Sequence, residues 1–233
     1  MSNSNGEGSK SKVLASKIRL YRNLDKTPFV HRLSDESRKS VTKKIFASLQ
    51  NSKLAGEFDM LELPALSEYD KLSLVQSGVI TPDEARESGY SAVLISKDKS
   101  TSILLCSKEH IKICVTGEGQ MLGELYKKAD FIDNIFIDSL VIAFDKKLGF
   151  LTASPMYLGT GMSSSLIMSL PELKTNGAIP SLSRTLSKLG FTIKPLFDEN
   201  GDIFEITNNI SLGITEEAQL ENLNGVCNLI LQS

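Results

Sequence analysis

The middle of the chain constrains the fold most strongly, because three short apolar runs follow one another there with charged turns between them. The runs read SAVLIS, SILLCS and HIKICV and lie within residues 91–115. Short runs rich in β-branched and other apolar residues, separated by turn residues, are typical of strands that pair with their sequence neighbours. We therefore predict an antiparallel meander at the centre of the protein.

Helix-start signals lie before this meander. Ser34 followed by Asp35 and Glu36 is typical of a helix N-terminus, because a serine side chain can accept from exposed backbone N–H groups. The stretches SEYD at 67–70 and TPDE at 81–84 both have the spacing of a capping box. We predict that a helix begins at each of these three places.

Longer periodic segments follow the meander. Apolar periodicity predicts helices at residues 120–139, 181–189 and 215–231. Two pairs of apolar arms around turn residues, at 142–154 and 191–207, predict β-hairpins. Strands grouped with helices in this way predict an α+β fold, with a mostly antiparallel central sheet flanked by helices.

Composition limits the class of protein. The chain has 233 residues and a formal net charge of −2, so it has no general attraction for nucleic acid or anionic membranes. Residues 1–12 lack the apolar stretch of a secretory signal, and we predict that they form a disordered tail. We predict that residues 13–233 form one domain. No apolar run approaches the roughly 20 residues that span a bilayer. We expect a cytoplasmic protein with no membrane or nucleic-acid partner.

Few residues are suited to binding a metal. The three cysteines have no C-x-x-C spacing, and Cys106 and Cys114 lie in strand-like runs that predict buried thiols. The only histidines are His31 and His110, and neither has ligand-like neighbours. We therefore predict no metal site.

The glycine-rich stretch GTG at 159–161 raises a functional question. Glycines allow backbone N–H groups to converge on an anion, so the stretch could hold a phosphate or could be a tight turn between a strand and a helix. A phosphate loop normally has cations beside it, whereas Ser163, Ser164 and Ser165 follow here.

Five segments, in order, resemble the catalytic domain of the ATP:guanidino phosphotransferase family, and in particular that of its bacterial protein-arginine kinases. The segments read ASKIRLYRNLDKTPFVHRLSDE, LVQSGVITP, VLISKDKSTSILLCSKEHIKI, AFDKKLGFLTASPMYLGTGM and GDIFEITNNISLGITEE. The similarity covers residues 16–231, and we expect no counterpart of the additional C-terminal domain that those kinases carry. The resemblance implies phosphoryl transfer from Mg·ATP to a guanidinium group, which requires arginines around the phosphates.

The resemblance also implies which residues bind the nucleotide. Its five phosphate-binding arginine positions correspond here to Lys17, Arg19, Lys112, Ser163 and Lys194. Only Arg19 is therefore still an arginine among the five. A lysine at such a position keeps the positive charge but loses the bidentate fork, and a serine loses both. Arg22 completes the S-x-R-x-x-R motif and is a further candidate for attracting an anion.

The carboxylates that hold the guanidinium in the family are largely replaced. The motif N-E-E-D-H-L-R reads CSKEHIK here, so Ser107 and Lys108 replace the glutamate pair, and Lys108 would repel a guanidinium. Glu109 can take the place of a catalytic glutamate only if the alignment with the family motif shifts in register. Asp198 or Glu199 lies near the place of the second catalytic carboxylate, in a loop that is about four residues shorter than the family's. Ser154 stands where the family has a reactive cysteine.

Three interpretations follow from these replacements. The first is a catalytically degenerate kinase domain, a pseudokinase with a binding or regulatory role, in which Mg·ATP binding is weak or absent and GTG is a turn. Its partners, by resemblance, would be an active arginine kinase, the zinc-finger activator of that kinase, or the Clp protease machinery. The second is a divergent active guanidino kinase that uses Glu109 with Asp198 or Glu199. The third is a relic that only folds.

Overall fold

The computed structural model describes residues 12–196, 198 and 200–232. Residues 1–11 of the predicted tail lie outside these residues, and Lys12 already belongs to the first strand. None of the helices in the described part of the chain is both long and apolar enough to cross a bilayer.

The strands form one large sheet and one small hairpin. Their bounds are β1 Lys12–Arg22, β2 Phe58–Glu62, β3 Ala92–Ser96, β4 Thr101–Leu105, β5 Ile111–Glu118, β6 Phe144–Asp145, β7 Gly149–Phe150, β8 Met162–Ser169, β9 Phe191–Pro195 and β10 Ile203–Asn208. The large sheet has the order β2-β3-β4-β5-β1-β8-β10-β9, and every neighbouring pair is antiparallel. The predicted meander, both predicted hairpins and the α+β class are confirmed.

Apart from α5, the helices of the described residues begin within two residues of their predicted starts. Their bounds are α1 Asp35–Gln50, α2 Glu68–Gln76, α3 Pro82–Arg86, α4 Leu122–Ser139, α5 Pro171–Thr175, α6 Ile179–Lys188 and α7 Glu216–Gln232. Ser34 caps α1 by accepting from the Ser37 N–H, and both predicted capping boxes are formed. Strand β2 and helix α5 were not predicted, because both are short and lack a clear period. Strand β8 was not predicted either, because the GTG stretch before it was considered as a turn that leads into a helix.

The two faces of the sheet differ because side chains alternate along each strand. On β1, Ile18 and Leu20 point to the face covered by α4, α6 and α7 and are fully buried. Lys17, Arg19 and Tyr21 point to the opposite face, where β5 and β8 contribute further polar residues. The apolar core therefore lies on the helix side, and the other face of the sheet is left for a polar site.

Helices α2 and α3 cover one end of this polar face. A small apolar cluster holds them there, in which Ile80, just before α3, packs with Val93 of β3 and Leu104 of β4. Leu104 lies opposite Lys112 in the sheet register, so this packing brings α3 next to Lys112. The side chains of α3 consequently form one wall of the polar face.

Arg22 is an internal structural residue, which corrects the prediction that it attracts an anion. Its guanidinium donates to Asp133 Oδ2 through Nε and Nη2 at 2.9 and 2.7 Å, and both side chains are only 3% exposed. Nη1 donates to the carbonyl oxygens of Tyr21 and Gly161, and the guanidinium stacks on the Phe150 ring at 3.5 Å. These contacts use the guanidinium to join β1, α4 and the loop before β8.

His110 joins the start of β5 to the segment after β1. Its Nδ1 accepts from the Leu24 N–H at 3.0 Å, and its Nε2 lies 3.0 Å from the Pro28 carbonyl oxygen. This pair of contacts fits a neutral ring that donates through Nε2. Burial lowers the pKa of His110 below 6.5.

We expect Asp133→Ala to lower the free energy of unfolding by about 3–5 kcal/mol, because it leaves the buried Arg22 guanidinium without a counterion. Urea denaturation measures this loss. Asp138→Ala is the matched control, since Asp138 is exposed on the same helix and should change stability by less than about 0.5 kcal/mol. Equal losses in the two variants would contradict the structural role of the ion pair.

We expect the stability contributed by neutral His110 to be present above about pH 6.5 and to be lost as the pH falls below it. The sign follows because the folded-state pKa is the lower one, so the unfolded chain binds the proton first. Urea denaturation at several pH values measures this, and the slope contributed is at most about 1.4 kcal/mol per pH unit. His110→Gln should be less stable at neutral pH and should show a shallower slope; an unchanged slope would contradict the assignment.

Candidate functional site

A cavity of about 480 Å³ lies on the polar face of the large sheet. It brings together five of the predicted site residues, which are Arg19, Glu109, Lys112, Ser163 and Lys194. They come from four strands and from the turn before β5. The antiparallel register is the cause, since it aligns alternate residues of β5, β1, β8, β10 and β9 on one face.

Arg19 is bound to a carboxylate of the same sheet. Its Nη2 donates to Glu205 Oε1 at 2.7 Å, and its Nη1 donates to Ser165 Oγ at 3.1 Å. Ser165 Oγ in turn donates to the same Glu205 oxygen at 2.7 Å. Burial would raise the pKa of Glu205, but the charge and hydrogen bond of Arg19 outweigh it and lower this pKa to about 2. The Arg19 charge is therefore neutralised within the protein.

Lys112 is bound in the same way by a residue of α3. Its Nζ lies 2.6 and 2.7 Å from the two carboxylate oxygens of Glu84, and both residues are buried. Burial would raise the pKa of Glu84, but Lys112 and the hydrogen bonds with Thr81 lower it. Because Glu84 is also the third residue of the α3 capping box, its position is fixed by the helix start.

Glu109 lines the cavity but serves to hold a loop. Its Oε2 accepts from Asn23 Nδ2 and from the Ala153 N–H, and its Oε1 accepts from the Ser154 N–H at 3.1 Å. The side chain is buried. A carboxylate that already accepts three hydrogen bonds has little capacity left to hold and deprotonate a guanidinium. The contacts of Glu109 therefore favour a structural role over the predicted catalytic one.

The other two catalytic candidates do not join Glu109. Asp198 is outside the cavity wall, and its Oδ1 accepts from the Asn200 N–H within the turn between β9 and β10. Glu199 lies outside the described residues. Among the residues that the structure describes, the cavity thus contains no second carboxylate that is both unpaired and close to Glu109.

The remaining nucleotide candidates occupy different environments. Ser163 is buried on β8 directly opposite Arg19. Lys194 is exposed on β9, lies opposite Glu205 and makes no ion pair with a described residue. Lys17 shares the face but not the cavity wall, and burial together with the nearby Arg19 charge lowers its pKa. Of these three, only Lys194 offers the cavity an exposed cation.

The GTG stretch forms a turn whose N–H groups are all used. Gly159 donates to the Phe150 carbonyl oxygen, Thr160 to that of Ser211 and Gly161 to that of Tyr157. Gly161 has a φ of +57°, and a β-carbon there would overlap the Arg22 guanidinium. The glycine thus allows Arg22 to approach, and strand β8 follows the turn instead of a helix. The prediction that GTG serves as a turn is confirmed.

Tyr157 closes one side of the cavity, which the sequence did not indicate. Its ring stacks on that of Tyr21 with centroids 3.9 Å apart and planes 9° apart. Tyr21 is buried, and burial raises its pKa well above the usual value. The two residues are 136 positions apart along the chain, so no local pattern could have predicted their contact.

The cavity wall is electrically balanced. Among the described residues it contains four cations and four carboxylates, namely Arg19, Lys108, Lys112 and Lys194 with Asp83, Glu84, Glu109 and Glu205. Mg·ATP needs an excess of cations around its phosphates, because its charge must be compensated in a site that excludes water. The residues present therefore do not fit this group. Within the described residues, no cluster of His, Cys, Asp and Glu could hold a metal ion.

Comparison with known proteins identifies the family. The model of "ATP:guanido phosphotransferase, C-terminal catalytic domain" matches residues 39–233. A protein-arginine kinase from Symbiobacterium thermophilum is 34% identical over 228 residues, which are 95% of this chain and 65% of that protein. A protein-arginine kinase from Caldanaerobacter subterraneus subsp. tengcongensis is 33% identical over 232 residues, 96% of this chain and 68% of that protein. The chain thus spans about two thirds of the length of these relatives.

Solved structures agree on the fold. The substrate-free duplicated taurocyamine kinase from Schistosoma mansoni has a TM-score of 0.82 at 24% identity and covers 95% of this chain and 33% of its own. Lombricine kinase has a TM-score of 0.78 at 16% identity, over 95% of this chain and 65% of its own. Sequence and fold agree with the resemblance, and the chain belongs to the ATP:guanido phosphotransferase family, as a relative of its protein-arginine kinases.

Proposed function

We propose that this chain is a catalytically degenerate protein-arginine kinase-like domain, a pseudokinase that acts by binding or regulation. One observation carries the proposal. Two cations at phosphate-binding positions, the partly buried Arg19 and the buried Lys112, are each bound to a carboxylate of the chain itself, Glu205 and Glu84. The family uses such cations to hold the phosphates of ATP, whereas these two are already paired.

Phosphoryl transfer requires those cations to be available. Its transition state spreads negative charge over the transferred group, and positioned arginines lower the barrier by compensating it. A triphosphate entering this cavity would meet Glu84 and Glu205 beside the cations that should bind it. Because like charges repel, and because one ion pair is buried and the other partly buried, the nucleotide would have to break them before it gained their contacts.

The residues at the acceptor side of the cavity also differ from those that phosphoryl transfer requires. Ser107 and Lys108 stand where carboxylates hold the guanidinium in the family, and the Ser107 hydroxyl donates to Glu87. A guanidinium placed here would meet the charge of Lys108 instead of a base. Each change replaces a group that, by resemblance, acts in the transition state, and together they support a chain that does not activate the nucleophile.

A divergent active kinase is the second candidate. Glu109 favours it, because this carboxylate lies on the cavity wall and is rigidly held. An active site of this kind needs a second carboxylate, which Asp198 does not provide in its present position. A transfer assay therefore separates the two candidates.

We expect no saturable binding of Mg·ATP to the purified chain at millimolar nucleotide. Calorimetric titration measures this, with thermal shift as an independent readout. We also expect no transfer of labelled γ-phosphate to free arginine or to an arginine-rich protein, and an active relative among the protein-arginine kinases is the positive control. Transfer above background would overturn the proposal in favour of the divergent kinase.

We expect the double variant Glu84→Gln, Glu205→Gln to bind pyrophosphate at least about tenfold more tightly than the unaltered chain, because it releases two cations. The amides keep the shape of the carboxylates and one acceptor oxygen, while the other oxygen is replaced by an NH2 donor that cannot accept from the cation. Calorimetry measures the affinity, and circular dichroism checks the fold. The control is Glu124→Gln, Glu221→Gln, which changes the net charge equally at exposed positions. Equal affinities in the two double variants would show that the internal ion pairs do not exclude the anion.

The partner and location are further parts of the proposal. By resemblance, the chain would bind an active arginine kinase, the zinc-finger activator of that kinase or the Clp protease machinery, in the cytoplasm. A regulatory domain needs a surface but no catalytic centre, which agrees with a fold kept intact around a charge-neutral cavity. Titration of a purified protein-arginine kinase with this chain tests the first partner, and a change in its transfer rate would support regulation.

A further inference from the structure

A second cavity of about 520 Å³ lies beside the first. The two share Ser107, Lys108, Glu109 and Ser154, which by resemblance mark the acceptor side of the family's site. The rest of the wall comes from Arg38 of α1, from residues 86–89 at the end of α3 and in the loop after it, and from His31 and Ala153. This chain therefore has a cavity at the position that corresponds to the family's acceptor side, but Ser107 and Lys108 replace the family's glutamates in its wall.

Arg38 is the most informative residue of this wall. It projects from the first turns of α1, and its Nε is buried without a hydrogen-bond partner among the described residues. Its guanidinium also makes no ion pair with any residue that the structure describes. Gly89 lets it lie there, since a β-carbon at that position would overlap the guanidinium. A buried donor without a partner is unusual in proteins and commonly marks a place where an ion or water binds.

Further cations line the same cavity. Arg86 and Lys108 both lie near Asp83, with Nη1–Oδ1 and Nζ–Oδ2 distances of 3.2 and 3.8 Å. All three of these side chains are at least 60% exposed, so the ion pairs are weak and easily exchanged for a ligand. His31 adds a fourth group that can donate a hydrogen bond or carry a charge.

The two carboxylates of the wall are already used as acceptors. Glu87 accepts from the Ser107 hydroxyl at 2.7 Å, and Glu109 accepts from Asn23 and from the N–H groups of Ala153 and Ser154. Neither makes an ion pair with a cation of this cavity. The wall thus combines carboxylates engaged by neutral donors with cations that are unpaired or only weakly paired.

We propose that this second cavity binds an oxyanion, a phosphoryl or carboxylate group, at the side where the family's chemistry calls for a guanidinium. Arg38 presents the planar fork that suits such a group, and Lys108 supplies a second charge. The proposal rests on the proposed function, because a chain that binds an anion at its acceptor side has no guanidinium to phosphorylate. The oxyanion proposal thus specifies which class of ligand the proposed pseudokinase would bind.

Inorganic phosphate is the probe, and NMR of the full ¹⁵N-labelled chain is the readout. We expect saturable shifts of the Arg38 Nε–Hε signal and of the Gly89 and Ser107 amides, with a dissociation constant in the millimolar range. Acetate forms a second arm, because binding of both anions indicates any oxyanion whereas binding of phosphate alone indicates a phosphoryl group. Methylguanidinium, which carries a guanidinium but no carboxylate, should cause no saturable shift of these signals.

Three variants make the test specific. Arg38→Gln should weaken phosphate binding at least about tenfold, whereas Arg184→Gln, which removes an exposed arginine of α6, should leave it unchanged. Gly89→Ala keeps every charge but displaces the guanidinium, so it should also weaken binding, and it covers the case in which Arg38→Gln misfolds.

Some outcomes would overturn the inference. These are the absence of saturable shifts with phosphate, equal effects of Arg38→Gln and Arg184→Gln, or binding of methylguanidinium at these signals. None of them bears on the absence of phosphoryl transfer, so the inference can fail while the proposed function stands. Transfer activity in the kinase assay would instead remove the proposed function itself.

Discussion

The alternation of side chains along β1 is the constraint on which the rest of the structure depends. This strand lies in the middle of the large sheet and pairs with β5 on one side and β8 on the other. Ile18 and Leu20 therefore enter the apolar core, while Lys17 and Arg19 must point to the opposite face. A shift of one residue would bury both cations among the helices, so the hydrophobic pattern fixes the position of the charges.

Cations held on a sheet in this way need compensation, because burial penalises an unpaired charge. In an active kinase of the family, the nucleotide provides that compensation during each turnover. Here Glu205 and Glu84 provide it permanently, and the low pKa of about 2 for Glu205 reflects how strongly Arg19 stabilises the charged form. Such pairing neutralises the two cations within the protein, and it is the physical basis of our proposal that nucleotide binding is disfavoured here.

Much of the fold could be predicted, because its signals are local. The capping residues Ser67 and Thr81 are three positions from their partners, and the hairpin at 142–154 is defined by its own turn. The candidate site was harder to predict, because its most important contacts join residues that are far apart in the sequence. Arg19 and Glu205 are 186 positions apart. Arg22 was misassigned for this reason. Its motif indicated a contact with a ligand, whereas its guanidinium forms an ion pair with Asp133, which is 111 positions away in the sequence.

The pairing of each cation indicates where this protein can still bind a ligand. Arg19, Arg22 and Lys112 are bound by buried or partly buried carboxylates, and a ligand that displaced those partners would leave the carboxylates without their counterions. Arg38 has no such partner among the described residues, so a ligand there gains a charge-assisted contact without breaking one. We therefore expect the electrostatic cost of binding an anion to be lower at the acceptor-side cavity than at the cavity that contains Arg19 and Lys112. The two proposals thus rest on the same distribution of carboxylates.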